Sequence, residues 1–296
     1  MWKSLFLAFI FLVNFNIFAQ DNVQAMLETE KAFEQTSAAD GTRAAFLKFL
    51  SDDSVIFRPT AVNGKEFWKS HDELPPMILV RKAIDYDISS NGMMGYTTGG
   101  WKVYPKGKSD DAAQYGQYVT VWEKRNGGKF LATVDINIMH DKLLPGETDR
   151  TISSAKTVDA NIRGWSVADA SMNFLRASMT DEGLAGAYKK FASGEVRLLI
   201  EREPPVLGKK AVVKELKRYK SISFPKKVAL LQAADMAYTW NPCQFANSDE
   251  GTESGNCLQI WKLRDKKWSI VVSVFNRITN ETKPALKVRQ TGKNPR

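Results

Sequence analysis

The chain is poor in the residues that build metal centres and covalent scaffolds. Its 296 residues include two cysteines and two histidines. Two cysteines exclude a fold held together by a disulfide framework. Two histidines, with no C-x-x-C and no H-E-x-x-H, leave little for a zinc site, so neither a metal nor a cofactor is expected. The sequence also lacks G-x-G-x-x-G, G-x-x-x-x-G-K-S/T and G-x-S-x-G, which argues against a standard dinucleotide enzyme, P-loop enzyme or serine hydrolase. Beyond the N-terminus no apolar run approaches the roughly 20 residues that cross a bilayer. The net charge is +9, but residues 281–296 alone carry +4, from Lys283, Lys287, Arg289, Lys293 and Arg296 against Glu281. What remains is spread along the chain, so the concentrated basic stripe that nucleic-acid binding needs is missing.

What is present starts with the N-terminus. Lys3 precedes the apolar run Leu5–Val13, and Ile17-Phe18-Ala19 ends on a small residue. This is the layout of a secretory signal peptide, expected over residues 1–19, with the mature protein secreted or periplasmic. Export would place both cysteines in an oxidising compartment. Cys243 and Cys257 flank the turn-rich stretch QFANSDEGTESGN and are expected to staple the arms of a hairpin. With 43% apolar and 25% charged residues, the rest has globular composition, and its length favours two domains.

An internal repeat supports that division. Gly41, Ala45, Phe46, Phe49 and Ser51 recur as Gly183, Ala187, Tyr188, Phe191 and Ser193, all displaced by 142 residues. Tyr96-Thr97 recurs as Tyr238-Thr239 at the same offset. With small loop changes, Val119–Lys124 matches Leu258–Leu263, Lys129-Phe130 matches Lys267-Trp268, and Gly64 matches Gly208. Residues 21–142 and 165–280 are therefore read as two copies, joined by a polar linker at 143–164 and followed by a basic tail at 281–296.

Each copy follows one plan. In the first, helical patterns cover Val23–Thr36, Gly41–Leu50 and Lys65–Lys69, with strands at Ser54–Phe57, Ile84–Ser89, Met94–Val103, Tyr115–Lys124 and Lys129–Met139. In the second, helices are expected at Trp165–Ser178, Gly183–Phe191 and Lys209–Lys220, and strands at Val196–Ile200, Lys227–Trp240, Cys257–Arg264 and Lys267–Ile278. Helices followed by a meander of long strands mean an α+β fold.

The order of Glu30-x-x-Phe33, the Gly41–Leu50 helix, Asp53-Ser-Val-Ile-Phe-Arg58-Pro59, Met94-Gly-Tyr-Thr-Thr-Gly99, Tyr118-x-Thr-x-Trp122 and Gly128–Asp135 resembles the nuclear transport factor 2-like superfamily with its SnoaL-like domains. The second copy matches more loosely. The resemblance implies two cone-shaped domains, each with N-terminal helices over a curved antiparallel sheet that encloses a pocket. It also implies that the two cones pair within one chain, which would then be a monomer. The superfamily holds isomerases, dehydratases and hydrolases beside binding domains, so the fold does not fix the function.

Candidate site residues come from the first copy. Strict alternation along Phe130–His140 puts Phe130, Ala132, Val134, Ile136 and Ile138 on one face, and Leu131, Thr133, Asp135, Asn137 and Met139 on the other. Asp135 is then either an acid/base in the pocket or a structural acceptor bonded to backbone or Arg58. The second copy has Ser273 near that position. His71, in Ser70-His71-Asp72-Glu73, is either a solvated loop residue or half of a His–Asp pair on a lid, and His140 is read as an edge residue. Tyr96, Trp101 and Tyr118 line adjoining strands, and the resemblance places Arg58 and Trp68 at the mouth. The expectation is an exported protein whose first cone binds a small, largely apolar ligand. The alternative is an isomerase, dehydratase or hydrolase acting through Asp135.

Overall fold

The computed structural model describes residues 2–71, 77–105, 114–125, 127–142, 166–223, 229–247 and 251–278. The linker at 143–164 and the tail at 281–296 lie outside the described residues, and of residues 2–20 only the helical backbone is described. Among the residues searched, no helix is long and apolar enough to cross a membrane.

The N-terminal half runs α1 (Trp2–Asp40), α2 (Thr42–Phe49), β1 (Leu50–Phe57), β2 (Ala61–Asn63), α3 (Gly64–Ser70), β3 (Met77–Ile88), β4 (Met94–Pro105), β5 (Gln114–Lys124) and β6 (Phe130–Met139). The C-terminal half runs in a similar order, α4 (Val167–Ser178), α5 (Gly183–Phe191), β7 (Ala192–Ile200), β8 (Val206–Leu207), α6 (Lys209–Glu215), β9 (Tyr219–Ser223), β10 (Ala229–Ala233), β11 (Met236–Asn247), β12 (Gly251–Arg264) and β13 (Lys267–Arg277). A 3₁₀ turn over Leu216–Arg218 follows α6. The class is α+β, as the sequence pattern indicates. One sheet has the order β2-β1-β6-β5-β4-β3; the other has β10-β11-β12-β13-β7-β8, with β9 also on β11.

The two halves share backbone details. α2 and α5 both begin at a glycine with positive φ, Gly41 at 97° and Gly183 at 59°, which side chains adopt at a cost. Each half closes its sheet with one parallel pairing, β1 on β6 and β7 on β13. Trp122 Nε1 donates to Thr97 Oγ1 at 2.9 Å, and Trp261 Nε1 donates to Thr239 Oγ1 at 3.2 Å. Two expectations are corrected. The strand expected over Lys227–Trp240 is two, because Ala234, at φ 50°, turns the chain without a glycine to mark the place. The helix expected over Lys209–Lys220 stops at Glu215, and Tyr219 opens β9.

Helices cover one face of each sheet; on the other face the two sheets pack against each other. Met94, Tyr96, Val119, Val121, Val134, Ile136 and Ile138 meet Met236, Tyr238, Leu258, Ile260, Val272 and Val274 in one core. Polar groups tie the two ends of this seam. At one end Lys262 Nζ donates to the Ile88 carbonyl at 2.5 Å and lies 3.4 Å from Asp87 and 3.3 Å from Asp235. At the other, Glu201 accepts from the Met139 amide at 3.0 Å and from Asn276 at 2.9 Å.

Cys243 on β11 and Cys257 on β12 form a disulfide with Cα atoms 6.0 Å apart. The hairpin they were expected to staple is the long β11–β12 ladder. Closing a loop of this size by a cross-link restricts the unfolded chain. Replacing both cysteines by serine should lower the unfolding free energy by about 2–4 kcal/mol in urea titration. Peptide mapping that recovers both thiols free would contradict the pairing.

Burial pushes Glu201 up to about 7. A carboxyl that binds its proton more tightly folded than unfolded makes stability fall as pH rises from its ordinary range towards that value. Stability should thus decline between about pH 5 and 7, with a slope from this group no steeper than about 1.4 kcal/mol per pH unit. Glu201→Gln should flatten that slope, whatever constant offset its altered hydrogen bonds introduce.

Candidate functional site

The register of β6 decides what the helix-covered interior of the N-terminal half contains. Val121 pairs with Val134 but Trp122 pairs with Ala132, so Thr133 is an extra residue in a β-bulge. A bulge shifts side-chain parity by one position. Phe130 and Ala132 therefore face the helices, while Val134, Ile136 and Ile138 face the other sheet. This corrects the strict alternation expected along the strand. Past the bulge, Asp135 joins the interior, opposite Thr120, and Asn137 lies opposite Tyr118. The C-terminal half has the equivalent bulge at Val271.

Asp135 belongs to an ionic network at the centre of this interior. Arg81 on β3 places Nη1 3.0 Å from Asp135 Oδ2 and Nε 2.6 Å from Glu30 Oε1 on α1. The three side chains are 1%, 2% and 7% exposed, in the order Arg81, Asp135, Glu30. Thr120 donates to Asp135 Oδ2 at 2.7 Å and Asn137 to Oδ1 at 2.9 Å. Thr97 donates to Glu30 Oε2 at 2.7 Å and Tyr118 to Oε1 at 3.2 Å. The Arg81 guanidinium also lies over Phe33, 3.8 Å from the ring centroid, and 4.8 Å from that of Tyr118. A flat, weakly hydrated guanidinium suits such a stacked position. Burial opposes its charge, yet Glu30 and Asp135 outweigh burial and hold its pKa above the usual value. Burial, then Glu30, pushes the Tyr118 phenol well up, so it stays a neutral donor.

The other candidates divide between this interior and the seam. Arg58 follows Ile56, which pairs with Asp135 and packs in the interior. Burial pulls its pKa below the usual value, and Asp135 restores only part of it. Its Nη1 donates to its neighbour's carbonyl, Phe57 O, at 2.9 Å. Trp68 stacks on Phe46 with centroids 4.8 Å apart, and its Nε1 has no partner among the described residues. Trp101 donates to Gln117 O at 3.0 Å and packs in the same core as Tyr118. Tyr96 faces the other sheet instead, its hydroxyl 3.5 Å from Asp85 Oδ1 at the seam. Burial pushes Asp85 up to about 6 there. His71 ends α3, stacked on Phe67 at 4.1 Å with Nδ1 2.9 Å from Phe67 O, and its expected partner Asp72 is outside the described residues. His140 is buried with neither ring nitrogen hydrogen-bonded among the described residues, and burial lowers its pKa.

The sequence pattern does not mark Glu30 and Arg81 as site residues. Arg81 falls ahead of the strand expected to start at Ile84, although β3 begins at Met77. The available signal was a charged residue two places after Leu79 in the apolar run Met77–Val80.

Among the described residues, the helix-covered interior of the C-terminal half has no such network. Ser273 takes the place of Asp135 and shares a 2.5 Å hydrogen bond with Tyr188. Gln259 stands for Thr120, and Phe174, Tyr188, Tyr219, Phe245 and Phe275 fill the interior with ring contacts. Trp101 and Tyr118 correspond to the disulfide residues Cys243 and Cys257.

Removing one member of a buried ionic group strands the others. Arg81→Met should cost about 3–5 kcal/mol in chemical denaturation. Adding Glu30→Gln and Asp135→Asn to it should recover most of that loss, because no uncompensated charge then remains inside. A triple variant as unstable as the single one would show that shape, not charge, sets the cost.

No family model matches the chain, and no curated protein matches it. Solved structures match parts of it. An NTF2-like protein from Cytophaga hutchinsonii is 13% identical over 38% of this chain and 95% of its own, with a TM-score of 0.32. An NTF2-like protein of unknown function from Pseudomonas putida is 13% identical over 42% of this chain and 96% of its own, with a TM-score of 0.33. An NTF-2-like protein of unknown function from Shewanella oneidensis is 15% identical over 37% of this chain and 98% of its own, with a TM-score of 0.31.

Proposed function

We propose that this is an exported protein of two tandem cone domains, 21–142 and 165–280, in which the first binds a small organic ligand and the second is its filled, stabilising partner. The observation that carries this reading is the ionic network around Arg81, enclosed in the N-terminal half and replaced by neutral side chains and aromatic rings in the other. A buried charge cluster costs more than an apolar core of the same shape. Its presence in only one of two otherwise parallel halves indicates a use beyond folding. Arg58, Trp68, Trp101 and Tyr118 are the side chains proposed to meet the ligand. The disulfide supports export, since such bonds persist in oxidising compartments. Proton transfer at Asp135 is less well supported, because both its oxygens already accept hydrogen bonds from Thr120, Asn137 and Arg81.

Native mass spectrometry of the purified chain should reveal a carried small molecule that denaturation releases. A bare chain, together with no thermal shift from a set of small organic acids, amides and alcohols, would end the ligand reading. Because the sheet faces that could pair two copies already cover each other within one chain, light scattering should report the mass of a single chain. Twice that mass would contradict the intramolecular pairing.

A further inference from the structure

The outer face of the C-terminal helices, turned away from the seam, gathers charge that the sequence disperses. Arg176 on α4 and Lys189 and Lys190 on α5 line one open cleft of about 590 Å³. Lys267, at the start of β13, extends the group, its Nζ donating to the Lys190 carbonyl at 3.0 Å. All four side chains are exposed, and none has an ion pair among the described residues. One carboxylate lines the cleft, that of Glu182, and it lies over Gly186, where a Cβ would come 2.7 Å from its Oε2. Asp169 and Asp181, the other acidic residues of this helix pair and its turn, do not line it.

Apolar groups border the same cations. Met172 and Met179 stand four residues before and three after Arg176, on one face of α4 and its end. They are 48% and 67% exposed, the two highest values for a large apolar side chain among the described residues. A single exposed apolar residue is ordinary. Two that flank an arginine on one helical face, beside a cationic cleft, make a surface of mixed chemistry. The fold does not demand it: at the shared offset of 142 residues Lys189 corresponds to Leu47, which packs partly buried against the N-terminal core. Nor do the segments on either side of this half supply a counter-charge. Residues 281–296 are basic, and the linker at 143–164 balances Glu147, Asp149 and Asp159 against Arg150, Lys156 and Arg163.

We propose that the α4–α5 face is a docking surface for an anionic lipid bilayer, with Arg176, Lys189 and Lys190 on the headgroup phosphates and Met172 and Met179 set among the headgroups. A negatively charged membrane surface attracts clustered lysines and arginines, and apolar side chains that enter the headgroup layer add buried area to the contact. A soluble polyanion would account for the cations but would leave both methionines in water. This surface lies on the other side of the helices from the N-terminal interior of the C-terminal half's partner, and the inference is independent of the ligand reading above.

The full chain should be sedimented with vesicles of phosphatidylcholine alone and of equal parts phosphatidylcholine and phosphatidylglycerol. Binding should require the anionic lipid and weaken as salt is raised. Arg176→Gln, Lys189→Gln and Lys190→Gln together should weaken it at least about tenfold, because each cation near a charged membrane contributes up to about fivefold. Met172→Ser with Met179→Ser should weaken it about threefold or more at unchanged charge. The apolar N-terminus and the basic tail are the same in every variant, so the differences report this face. Hydrogen exchange of the wild-type chain should show the amides of α4 and α5 protected by the anionic vesicles, a readout that stands even if a variant unfolds. A triple charge variant that binds like the wild type, or anionic vesicles that leave α4 and α5 exchanging as before, would overturn the proposal. Binding to soluble polyphosphate as tight as to the vesicles, with the methionine variant unaffected in both, would assign the face to a soluble polyanion and overturn the membrane.

Discussion

Both faces of each sheet are buried, and most of the architecture follows from that constraint. Antiparallel sheets commonly leave one face to water and alternate apolar with polar residues. Here helices take one face and the opposing sheet takes the other, so the central strands carry apolar side chains in both directions. A polar residue on such a strand has no solvent to turn to. It must be bonded inside its own half, as Thr97 and Thr120 are, or across the seam, as Lys262 and Glu201 are. The bulges at Thr133 and Val271 serve the same constraint, because they let one strand supply the helix-side core at its start and change which parity faces that side further on.

The two halves meet the constraint with different chemistry. The C-terminal half packs rings and small neutral groups and adds a disulfide between neighbouring strands. The N-terminal half encloses an arginine between two carboxylates and sets a second arginine near them. Cores of the first kind combine close packing with satisfied hydrogen bonds; those of the second place fixed charge where water is excluded, which makes any added charge interact strongly.

Much of this was legible in the sequence because it depends on local pattern. Gly41 and Gly183 mark helix starts, Lys129 and Lys267 lead the last strands, and the recurrence of Tyr-Thr and Trp motifs identifies equivalent ladders. The α2 and α5 helices and β4, β5 and β13 lie close to where periodicity places them, whereas β12 begins at Gly251, six residues ahead of the expected Cys257 and inside the stretch expected to turn. Features set by pairing were not legible. Alternation cannot show a bulge inside an apolar run, so it puts Ala132 and Val134 on one face where the structure separates them. The Ala234-Asp235 turn carries no glycine, and β9 lies next to a helical stretch. Arg81 and Glu30 are 51 residues apart, as their numbers show, and only the packing of α1 against β3 brings them together.

The seam has a consequence for which surfaces can recognise each other. In the repeat, Glu123 corresponds to Lys262. Lys262 lies 3.4 Å from Asp87 across the seam, and Glu123 accepts from the Tyr238 hydroxyl at 3.4 Å. Two N-terminal halves joined by the same geometry would bring Glu123 of one against Asp87 of the other and bury like charges together. The two faces have become complementary rather than self-complementary, so the arrangement selects unlike partners and disfavours a symmetric pair of the first kind.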